Sequence, residues 1–257
     1  MFISIVTVVY NGEKTIRRTI ESVLCQEFKD YEYIIVDGLS KDKTVSIAKE
    51  YEKRFEGKLR IYSERDKGIY DAMNKGIKLA KGDYVWLVNA DDWIEKDALI
   101  SISNYILNNR IKGDVILAGW MNIVNLDTYE TVRVGKTSRQ LYDSACRQLK
   151  MGVCHPATLV PRSIYDKIGM FDERYYISAD IDFILRCYQA NVVFDFPQII
   201  MTNMTDGGIS HQFPVKKNLH DYRLRVNKFC RNPFLRIYYM FVFSAKFLLI
   251  KMKGGYL

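Results

Sequence analysis

Residues 89–92, with the sequence Asn-Ala-Asp-Asp, bring two adjacent carboxylates to the end of the apolar run at 84–88. Such a run is typical of a buried strand, and carboxylates at its end are costly to bury unless a cation or ligand meets them. Carboxylates that bind a divalent cation often share it with substrate phosphates. The segment therefore indicates a metal-assisted site for a phosphorylated substrate. The alternative is a solvated loop in which Asp91 or Asp92 caps a helix from about Trp93, since aspartate is common before helices.

The elements that would position this segment alternate between strands and helices. Ile16, Ile20, Val23 and Leu24 recur with the spacing of one helix face. Further helices are predicted at 44–55 and 69–80, between strands at 2–9, 31–36, 59–63 and 84–88. Such alternation predicts an α/β fold with a mostly parallel sheet flanked by helices. Ligands bind at the carboxyl ends of the strands in these sheets, and polar residues follow three of the runs, at 10–12, 37–38 and 89–92.

The second half of the chain is less regular. Paired strands are predicted at 114–124 and 128–134, later strands at 157–160, 192–196 and 199–201, and helices at 138–149, from 161 and at 180–190. There is no internal repeat and no low-complexity linker, and no domain boundary is evident before about residue 212.

The net charge of +8 is concentrated at the end of the chain. Ten lysines and arginines follow residue 215, opposed only by Asp221, so the preceding body is close to neutral. This argues against a nucleic-acid-binding face on the body. The five cysteines lack CxxC spacing, which indicates a reducing compartment and no structural zinc. The N-terminus has the pattern of a first strand and not of a signal peptide, so we expect the body to be cytoplasmic.

The segment 234–252 is apolar and aromatic, but Arg236 and Lys246 interrupt it. A membrane-spanning helix needs about 20 mostly apolar residues without a central charge. The pattern instead favours an amphipathic helix that lies in the membrane interface with its lysines at the head groups. The alternative is a helix docked on the protein's own core.

Four separated segments resemble, in the same order, those of glycosyltransferase family 2, the inverting nucleotide-sugar transferases with the GT-A fold. These are 4–11, 33–44, 67–76 and 89–92, and the resemblance extends over about residues 2–210. It implies a Rossmann-like GT-A sheet followed by a C-terminal amphipathic helical tail. The implied domains are 1–212 for catalysis (1–112 for the nucleotide sugar, 113–212 for the acceptor) and 213–257 for the tail.

The resemblance implies a donor site in which Asp37 accepts the imino N–H of a uracil ring, and Thr7 and Tyr10 pack against the base. By their residue types alone, a turn aspartate is favoured for Asp37 and a core tyrosine for Tyr10. The full set of implied nucleotide-sugar contacts comprises Thr7, Tyr10, Asp37, Asp66, Lys67, Asn89 and Ala90.

Asp91 takes the third position of the family's DXD element, which implies that it binds Mn²⁺ or Mg²⁺ together with the diphosphate. The first position departs from the family pattern, because Asn89 replaces an aspartate and brings no charge. His211, in a loop that resembles one closing over the diphosphate, is a candidate to contact phosphate or to complete the metal shell. A solvent-facing loop histidine is an equal alternative.

The segment 178–183 resembles the family's acidic element near the acceptor, with Asp180 at the position of the general base. Ala179 stands where the family has a glutamate. His155 and Asp182 are implied on the acceptor side. The alternative is that Asp180 and Asp182 only favour the first turn of a helix.

The sequence therefore predicts a metal-dependent inverting glycosyltransferase. We expect it to transfer a sugar from a UDP-sugar to a hydroxyl of a lipid-linked saccharide, at the cytoplasmic face of the cell membrane, in bacterial polysaccharide biosynthesis. One alternative is a sugar nucleotidyltransferase, although no glycine-rich basic loop follows the first strand. Another is a non-catalytic membrane-bound subunit of the same fold, which Asn89 and Ala179 would permit.

Overall fold

The computed structural model describes residues 2–206 and 214–252. In chain order the strands are β1 (Ile3–Val9), β2 (Tyr31–Asp37), β3 (Leu59–Ser63), β4 (Tyr84–Leu87), β5 (Trp93–Ile94), β6 (Val115–Ala118), β7 (Trp120–Val124), β8 (Thr131–Gly135), β9 (Thr158–Pro161), β10 (Val193–Asp195) and β11 (Ile200–Thr205). The helices are α1 (Ile16–Leu24), α2 (Thr44–Glu50), α3 (Ile69–Leu79), α4 (Ala98–Asn108), α5 (Arg139–Arg147), α6 (Arg162–Ile168), α7 (Ala179–Gln189), α8 (Val215–Phe229) and α9 (Pro233–Met252).

The main sheet has seven strands in the order β10-β6-β9-β4-β1-β2-β3. Its central strands β4, β1, β2 and β3 are parallel, as are β6 and β10 at the other end. Only β9 runs antiparallel, between β4 and β6. The prediction of a mostly parallel sheet flanked by helices is confirmed.

Apolar residues alternate between the two faces of β1, as the pleat of a strand requires. Ile3 and Ile5 belong to the core under α1, whereas Val6 and Val8 belong to the core under α3. Helix α3 comes very close to β1 at Gly76, where a Cβ atom would lie 2.3 Å from Cγ1 of Val6. Because both faces are covered, β1 is buried along its whole length.

A second sheet, ordered β5-β11-β7-β8, packs beside the first and corrects two predictions. The predicted strand 114–124 breaks at Gly119, so that β6 joins the main sheet and β7 the second one. The break lies where the chain passes Met201, whose Sδ would be 2.4 Å from a Cβ at Gly119. The helix predicted from Trp93 begins at Ala98 instead, because Trp93 and Ile94 pair with β11.

Two further boundaries differ from prediction. The helix predicted over 44–55 ends at Glu50, and a short 3₁₀ helix, Glu52–Phe55, follows it. The segment at His155 forms a 3₁₀ turn, His155–Ala157, before β9 begins at Thr158. Pro156 accounts for this turn, because proline has no N–H to give to a strand and is well suited to the first turn of a helix.

The two C-terminal helices have different surroundings. Helix α8 is anchored to the body by four buried residues, namely Asp221, Arg225, Val226 and Phe229, and by Cys230 directly after it. Helix α9, in contrast, exposes large apolar side chains, among them Phe234, Ile237 and Phe241. Across the described part of the chain, no helix combines the length and apolarity needed to cross a bilayer.

Candidate active site

The loops after β1 and β2 are bound to each other at the carboxyl edge of the main sheet. The β1–β2 register opposes Val9 to Asp37, and the N–H of Gly38 donates to the carbonyl of Val9 at 2.9 Å. The side chains of Asn11 and Ser40 each accept a backbone N–H from the opposite loop, at 2.9 and 2.8 Å. Two of the three polar segments that the sequence singled out therefore form one hydrogen-bonded unit.

Asp37 is fully buried at the centre of this unit. Its Oδ2 accepts the hydroxyl of Ser63 at 2.6 Å and the N–H of Ser40 at 3.1 Å. Sequence analysis did not identify Ser63, because a serine at the end of a strand has no distinguishing pattern. The carboxylate therefore fixes the loop internally, and its contact with a nucleobase stays a prediction.

The side chains of Asp66 and Tyr10 pack closely over Gly38. A Cβ atom at Gly38 would lie 2.3 Å from Oδ2 of Asp66 and 3.4 Å from the Tyr10 ring. The Tyr10 side chain is 60% exposed, so its ring stands at the surface of the site and not in the core. An aromatic ring beside a glycine and a carboxylate provides stacking and hydrogen bonding for a planar base.

The carboxylate of Asp66 lies beside an open cleft of about 550 Å³, lined by Arg65, Asp66, Lys67, Asp71 and Lys75. Its Oδ1 accepts the N–H of Gly68 at 3.0 Å. Burial raises the pKa of Asp66, and the neighbouring carboxylates of Asp71 and Asp37 act in the same direction. Lys67 is exposed at the rim of this cleft, which suits it to meet an anionic group.

Thr7 and Ala90 lie inside the protein. Thr7 is fully buried, and its hydroxyl oxygen accepts the Tyr33 hydroxyl at 3.1 Å. Ala90 is also buried, and its carbonyl accepts the hydroxyl of Thr19 at 2.9 Å. Both residues support the site from within, and a direct contact with a nucleotide sugar stays a prediction.

The two carboxylates after β4 have different environments. Asp92 is buried and its Oδ2 accepts Nδ2 of Asn89 at 3.2 Å. Burial, and the charge of Asp91 next to it, raise the pKa of Asp92 well above its usual range. Asp91 is only partly buried, and burial raises its pKa as well. The side-chain amide of Asn89 thus donates to Asp92. Asp91 is the carboxylate of this segment that remains available to a ligand.

The segment 89–92 is held in place by Arg18 of α1, which sequence analysis did not identify. Nη2 of Arg18 donates to the carbonyl of Asp91 at 3.0 Å. The guanidinium carbon lies 3.8 Å from the ring centroid of Trp93 and 4.6 Å from that of Tyr129. No sequence signal marks this arginine, because the aromatic partners are 75 and 111 residues away along the chain.

The residues present fit a divalent ion that is shared with a substrate. Over residues 2–206 and 214–252, no three His, Cys, Asp or Glu side chains form a group that could hold a metal by themselves. A Mg²⁺-type ion is commonly held by one or two carboxylates together with substrate phosphates and water, and Asp91 can supply one carboxylate. His211, the other predicted metal ligand, lies outside the described residues.

Asp180 stands in the first turn of α7, on the acceptor side predicted from sequence. Its Oδ1 accepts the N–H of Ile181 at 2.8 Å and lies 3.4 Å from the Tyr70 hydroxyl of α3. Burial raises the pKa of Asp180, although the nearby His155 acts in the opposite direction. The same burial lowers the pKa of His155. A carboxylate with a raised pKa is suited to accept a proton.

Asp182, two residues further on, has a different environment. It is fully buried, and its oxygens accept Nε of Arg186 at 2.8 Å and Nζ of Lys228 at 2.6 Å. These two cations bind both oxygens, so the side chain joins α7 to α8. Its contact with an acceptor stays a prediction.

This fold is that of a GT-A glycosyltransferase: a mostly parallel sheet with an open cleft at its carboxyl edge, and a helix, α7, that presents a partly buried carboxylate. Residues 4–169 match the family model for Glycosyl transferase family 2. The match covers more than half of the chain, so the protein belongs to glycosyltransferase family 2, as the sequence motifs indicated.

Two relatives are similar over most of the chain. A PGL/p-HBAD biosynthesis glycosyltransferase of Mycobacterium bovis (strain BCG) is 29% identical over 227 residues, which is 84% of this chain and 82% of that protein. An uncharacterized glycosyltransferase of Rickettsia typhi is 30% identical over 209 residues, which is 79% of this chain and 64% of that protein.

Solved structures of glycosyltransferases share the fold. TarS 1–349 of S. aureus in complex with UDP-GlcNAc has a TM-score of 0.67 and 18% identity, and the match covers 93% of this chain and 70% of that one. Against a longer TarS chain, the match spans 40% of its length. The mannosyltransferase PcManGT from Pyrobaculum calidifontis, in complex with GDP-Man and Mn²⁺, has a TM-score of 0.63 and 16% identity, covering 90% of this chain and 64% of that one.

Proposed function

We propose that this glycosyltransferase is an inverting enzyme that transfers a sugar from a UDP-sugar to a hydroxyl group of a saccharide acceptor, with Mn²⁺ or Mg²⁺. The observation that carries the proposal is the placement of Asp180 in the first turn of α7, a partly buried carboxylate 3.4 Å from the Tyr70 hydroxyl, whose pKa is raised by burial. The exposed Tyr10 ring beside the Asp66 carboxylate supports a nucleoside on the other side of the site. The complex of TarS with UDP-GlcNAc supports a uridine donor.

The donor lies along the carboxyl edge of the sheet in this proposal. Tyr10 stacks on the base, and Asp37 or Asp66 accepts its imino N–H. Lys67 meets the diphosphate at the rim of the cleft. Asn89 and the backbone around Ala90 contact the ribose or the sugar. A divalent ion held by Asp91, with His211, would neutralise charge on the departing diphosphate.

Asp180 acts as the general base. The acceptor hydroxyl oxygen forms a bond to the anomeric carbon while the bond from that carbon to the diphosphate oxygen breaks. Asp180 takes the hydroxyl proton, and UDP leaves with the bonding electron pair. One displacement from the face opposite the leaving group inverts the anomeric configuration. His155 and Asp182 border the acceptor side.

The exposed face of α9 supports an acceptor carried on a lipid. Phe234 and Phe241 are 81% and 72% exposed, and basic residues lie on both sides of this apolar stretch in the sequence. Such a helix binds an anionic membrane surface through its apolar side chains and its lysines. We therefore propose a catalytic domain of residues 1–212 (donor half 1–112, acceptor half 113–212). The tail, 213–257, attaches through α8 and lies on the inner face of the cell membrane, where surface polysaccharides are assembled.

The first test is a panel of UDP-, GDP- and dTDP-sugars with Mn²⁺, scored for release of the nucleoside diphosphate. The wild type is compared with Asp91→Ala, Asp180→Asn and, as an exposed control, Asp97→Ala. We expect one donor to be consumed, with loss of activity in the first two variants only. Full activity of Asp180→Asn would refute the assigned base, and pyrophosphate release from a nucleoside triphosphate would instead support a nucleotidyltransferase.

The remaining outcome is donor binding without turnover. Adding an acceptor shows whether the enzyme is inactive or only lacks its second substrate. The assay is repeated with a membrane extract that contains lipid-linked saccharides. Turnover that appears only with this extract supports the lipid-linked acceptor. Binding that persists without turnover in both assays contradicts catalysis and favours the non-catalytic alternative.

A further inference from the structure

Helix α3 brings a buried tyrosine to the proposed general base. Tyr70 is 6% exposed, and its hydroxyl donates to Oδ1 of Asp180 at 3.4 Å. A tyrosine hydroxyl inside a protein needs such a partner, because an unpaired one is costly. Burial raises the pKa of Tyr70 well above its usual range, and the charge of Asp180 acts in the same direction. The hydroxyl therefore keeps its proton at neutral pH and remains a donor to this carboxylate.

The two oxygens of Asp180 have different surroundings. Oδ1 accepts the N–H of Ile181 at 2.8 Å as well as the hydroxyl of Tyr70. Within residues 2–206 and 214–252, no hydrogen bond ends on Oδ2. The side chain is only partly buried, so the second oxygen is left for a substrate hydroxyl. One oxygen of the carboxylate is thus held by the protein and the other is available.

The position of Tyr70 is fixed by the contacts of α3 with the loop between α6 and α7. The ring centroid of Tyr70 lies 5.6 Å from that of Phe171 in this loop. One turn further along α3, Nδ2 of the buried Asn74 donates to the carbonyl of Phe171 at 2.9 Å, and its Oδ1 accepts the Phe171 N–H at 3.0 Å. A shift of α3 against the loop would break both bonds. The Tyr70 side chain is therefore held in place beside the segment that leads into α7.

We propose that Tyr70 is a positioning residue for catalysis, whose hydroxyl holds Oδ1 of Asp180 so that Oδ2 is presented to the acceptor hydroxyl. This inference rests on the proposed role of Asp180 as base. Tyr70 belongs to the proposed donor half of the chain, and its helix follows directly on Asp66 and Lys67, which line the open cleft. The orientation of the base then depends on a helix that begins beside the donor.

The first experiment titrates Asp180 directly and needs neither the donor nor the acceptor. Aspartates are labelled with ¹³C at Cγ, and the signal of Asp180 is assigned as the one missing in Asp180→Asn. We expect Tyr70→Phe to raise the titration midpoint by about half a pH unit, because a hydrogen bond to the ionised form is lost. His155 and Arg225 also act on Asp180 and are the same in each protein compared.

Tyr142→Phe is the matched control for this titration. Tyr142 is buried in the same core as Tyr70, and within the described residues its hydroxyl has no hydrogen-bond partner. Its replacement should leave the midpoint of Asp180 unchanged. An unshifted midpoint in Tyr70→Phe, or an equal shift in both variants, would overturn the inference.

The second experiment separates positioning from a purely structural role. It uses the donor that the panel identifies, with the membrane extract as the source of acceptor. Tyr70→Phe should lower kcat about tenfold, while the KM for the donor and the melting temperature stay unchanged, because phenylalanine keeps the packing on Phe171. In an Asp180→Asn background the same substitution should cause no further loss of the residual activity, since Tyr70 acts through this carboxylate. An equal loss in both backgrounds would contradict the inference.

The proposed function fails separately from this inference. Full transfer activity in Asp180→Asn refutes the base whatever the titration of Tyr70→Phe shows. An inactive Asp180→Asn together with an unshifted midpoint in Tyr70→Phe refutes only the role of Tyr70.

Discussion

Nη2 of Arg18 donates a hydrogen bond of 3.0 Å to the backbone carbonyl of Asp91, the residue assigned to the metal. The same guanidinium packs against Trp93 directly after this segment and against Tyr129 in the loop between β7 and β8. Arg18 thus joins α1, the turn that follows β4, and the second sheet. Together with Thr19, whose hydroxyl bonds the carbonyls of Ala90 and Asp92, Arg18 fixes the backbone of the proposed metal ligand.

Replacing Arg18 by lysine tests that dependence. Lysine keeps the charge but cannot stack a planar group on both rings while it bonds the carbonyl. We expect the free energy of unfolding to fall by about 1–2 kcal/mol, from a weaker cation–π contact and a lost hydrogen bond. The Mn²⁺ concentration for half-maximal activity should rise. Urea unfolding and a Mn²⁺ titration measure the two effects, with Arg17→Lys on the exposed face of α1 as the control. Equal behaviour of the two variants would contradict the role given to Arg18.

The central sheet could be predicted because buried parallel strands are continuous apolar runs. β1 to β4 were each located to within one residue at either end, and the helix spacing of Ile16, Ile20 and Val23 correctly placed α1. The break at Gly119 could not be predicted in this way. It depends on contact with Met201, which is 82 residues away, and an apolar run contains no sign of a change of sheet.

The candidate site could be predicted only where a motif marks it. Asp91 and Asp180 were identified by position in family-like segments, and their proposed roles stay predictions. The bond from Asn89 to Asp92 depends on the turn between them, so the sequence did not indicate that the amide is engaged inside the protein. Arg18 has the residue type of an ordinary surface cation. Only tertiary packing distinguishes it from the other arginines of the chain.

Gly38→Ala should weaken nucleotide binding without unfolding the protein. The added methyl group would lie 2.3 Å from Oδ2 of Asp66, so that carboxylate has to turn away from its position beside Gly38 and Tyr10. We expect the Kd for UDP to rise about tenfold, the equivalent of one lost charge-assisted hydrogen bond. Calorimetric titration with UDP measures the effect, and Leu39→Ala, an exposed neighbour, is the control. A Kd within twofold of the wild type would show that Asp66 in this position does not bind the base.

Asp92→Asn should make the protein more stable at neutral pH. Burial raises the folded-state pKa of Asp92 above its unfolded value, so the folded state holds the proton more tightly. The free energy of unfolding therefore falls as the pH rises from the unfolded-state pKa of Asp92 to its folded-state pKa. The loss is complete above the folded-state pKa. Asparagine stays neutral at every pH and still has an oxygen to accept Nδ2 of Asn89. Chemical unfolding between pH 4 and pH 8 should show a flatter profile for this variant than for Asp97→Asn. Parallel profiles would contradict a raised pKa at Asp92.

Asp221→Asn should loosen the joint between α8 and α7. The carboxylate accepts the N–H groups of residues 176–178, and an amide offers one oxygen without charge. We expect the free energy of unfolding to fall by about 2 kcal/mol, because hydrogen bonds to a buried charge are stronger than neutral ones. Hydrogen exchange should accelerate at the amides of Tyr176, Ile177 and Ser178 while those of β1 stay protected. Asp221→Glu, which keeps the charge, separates the loss of charge from the change of shape. Unchanged exchange at these three amides in Asp221→Asn would mean that the joint holds without the carboxylate.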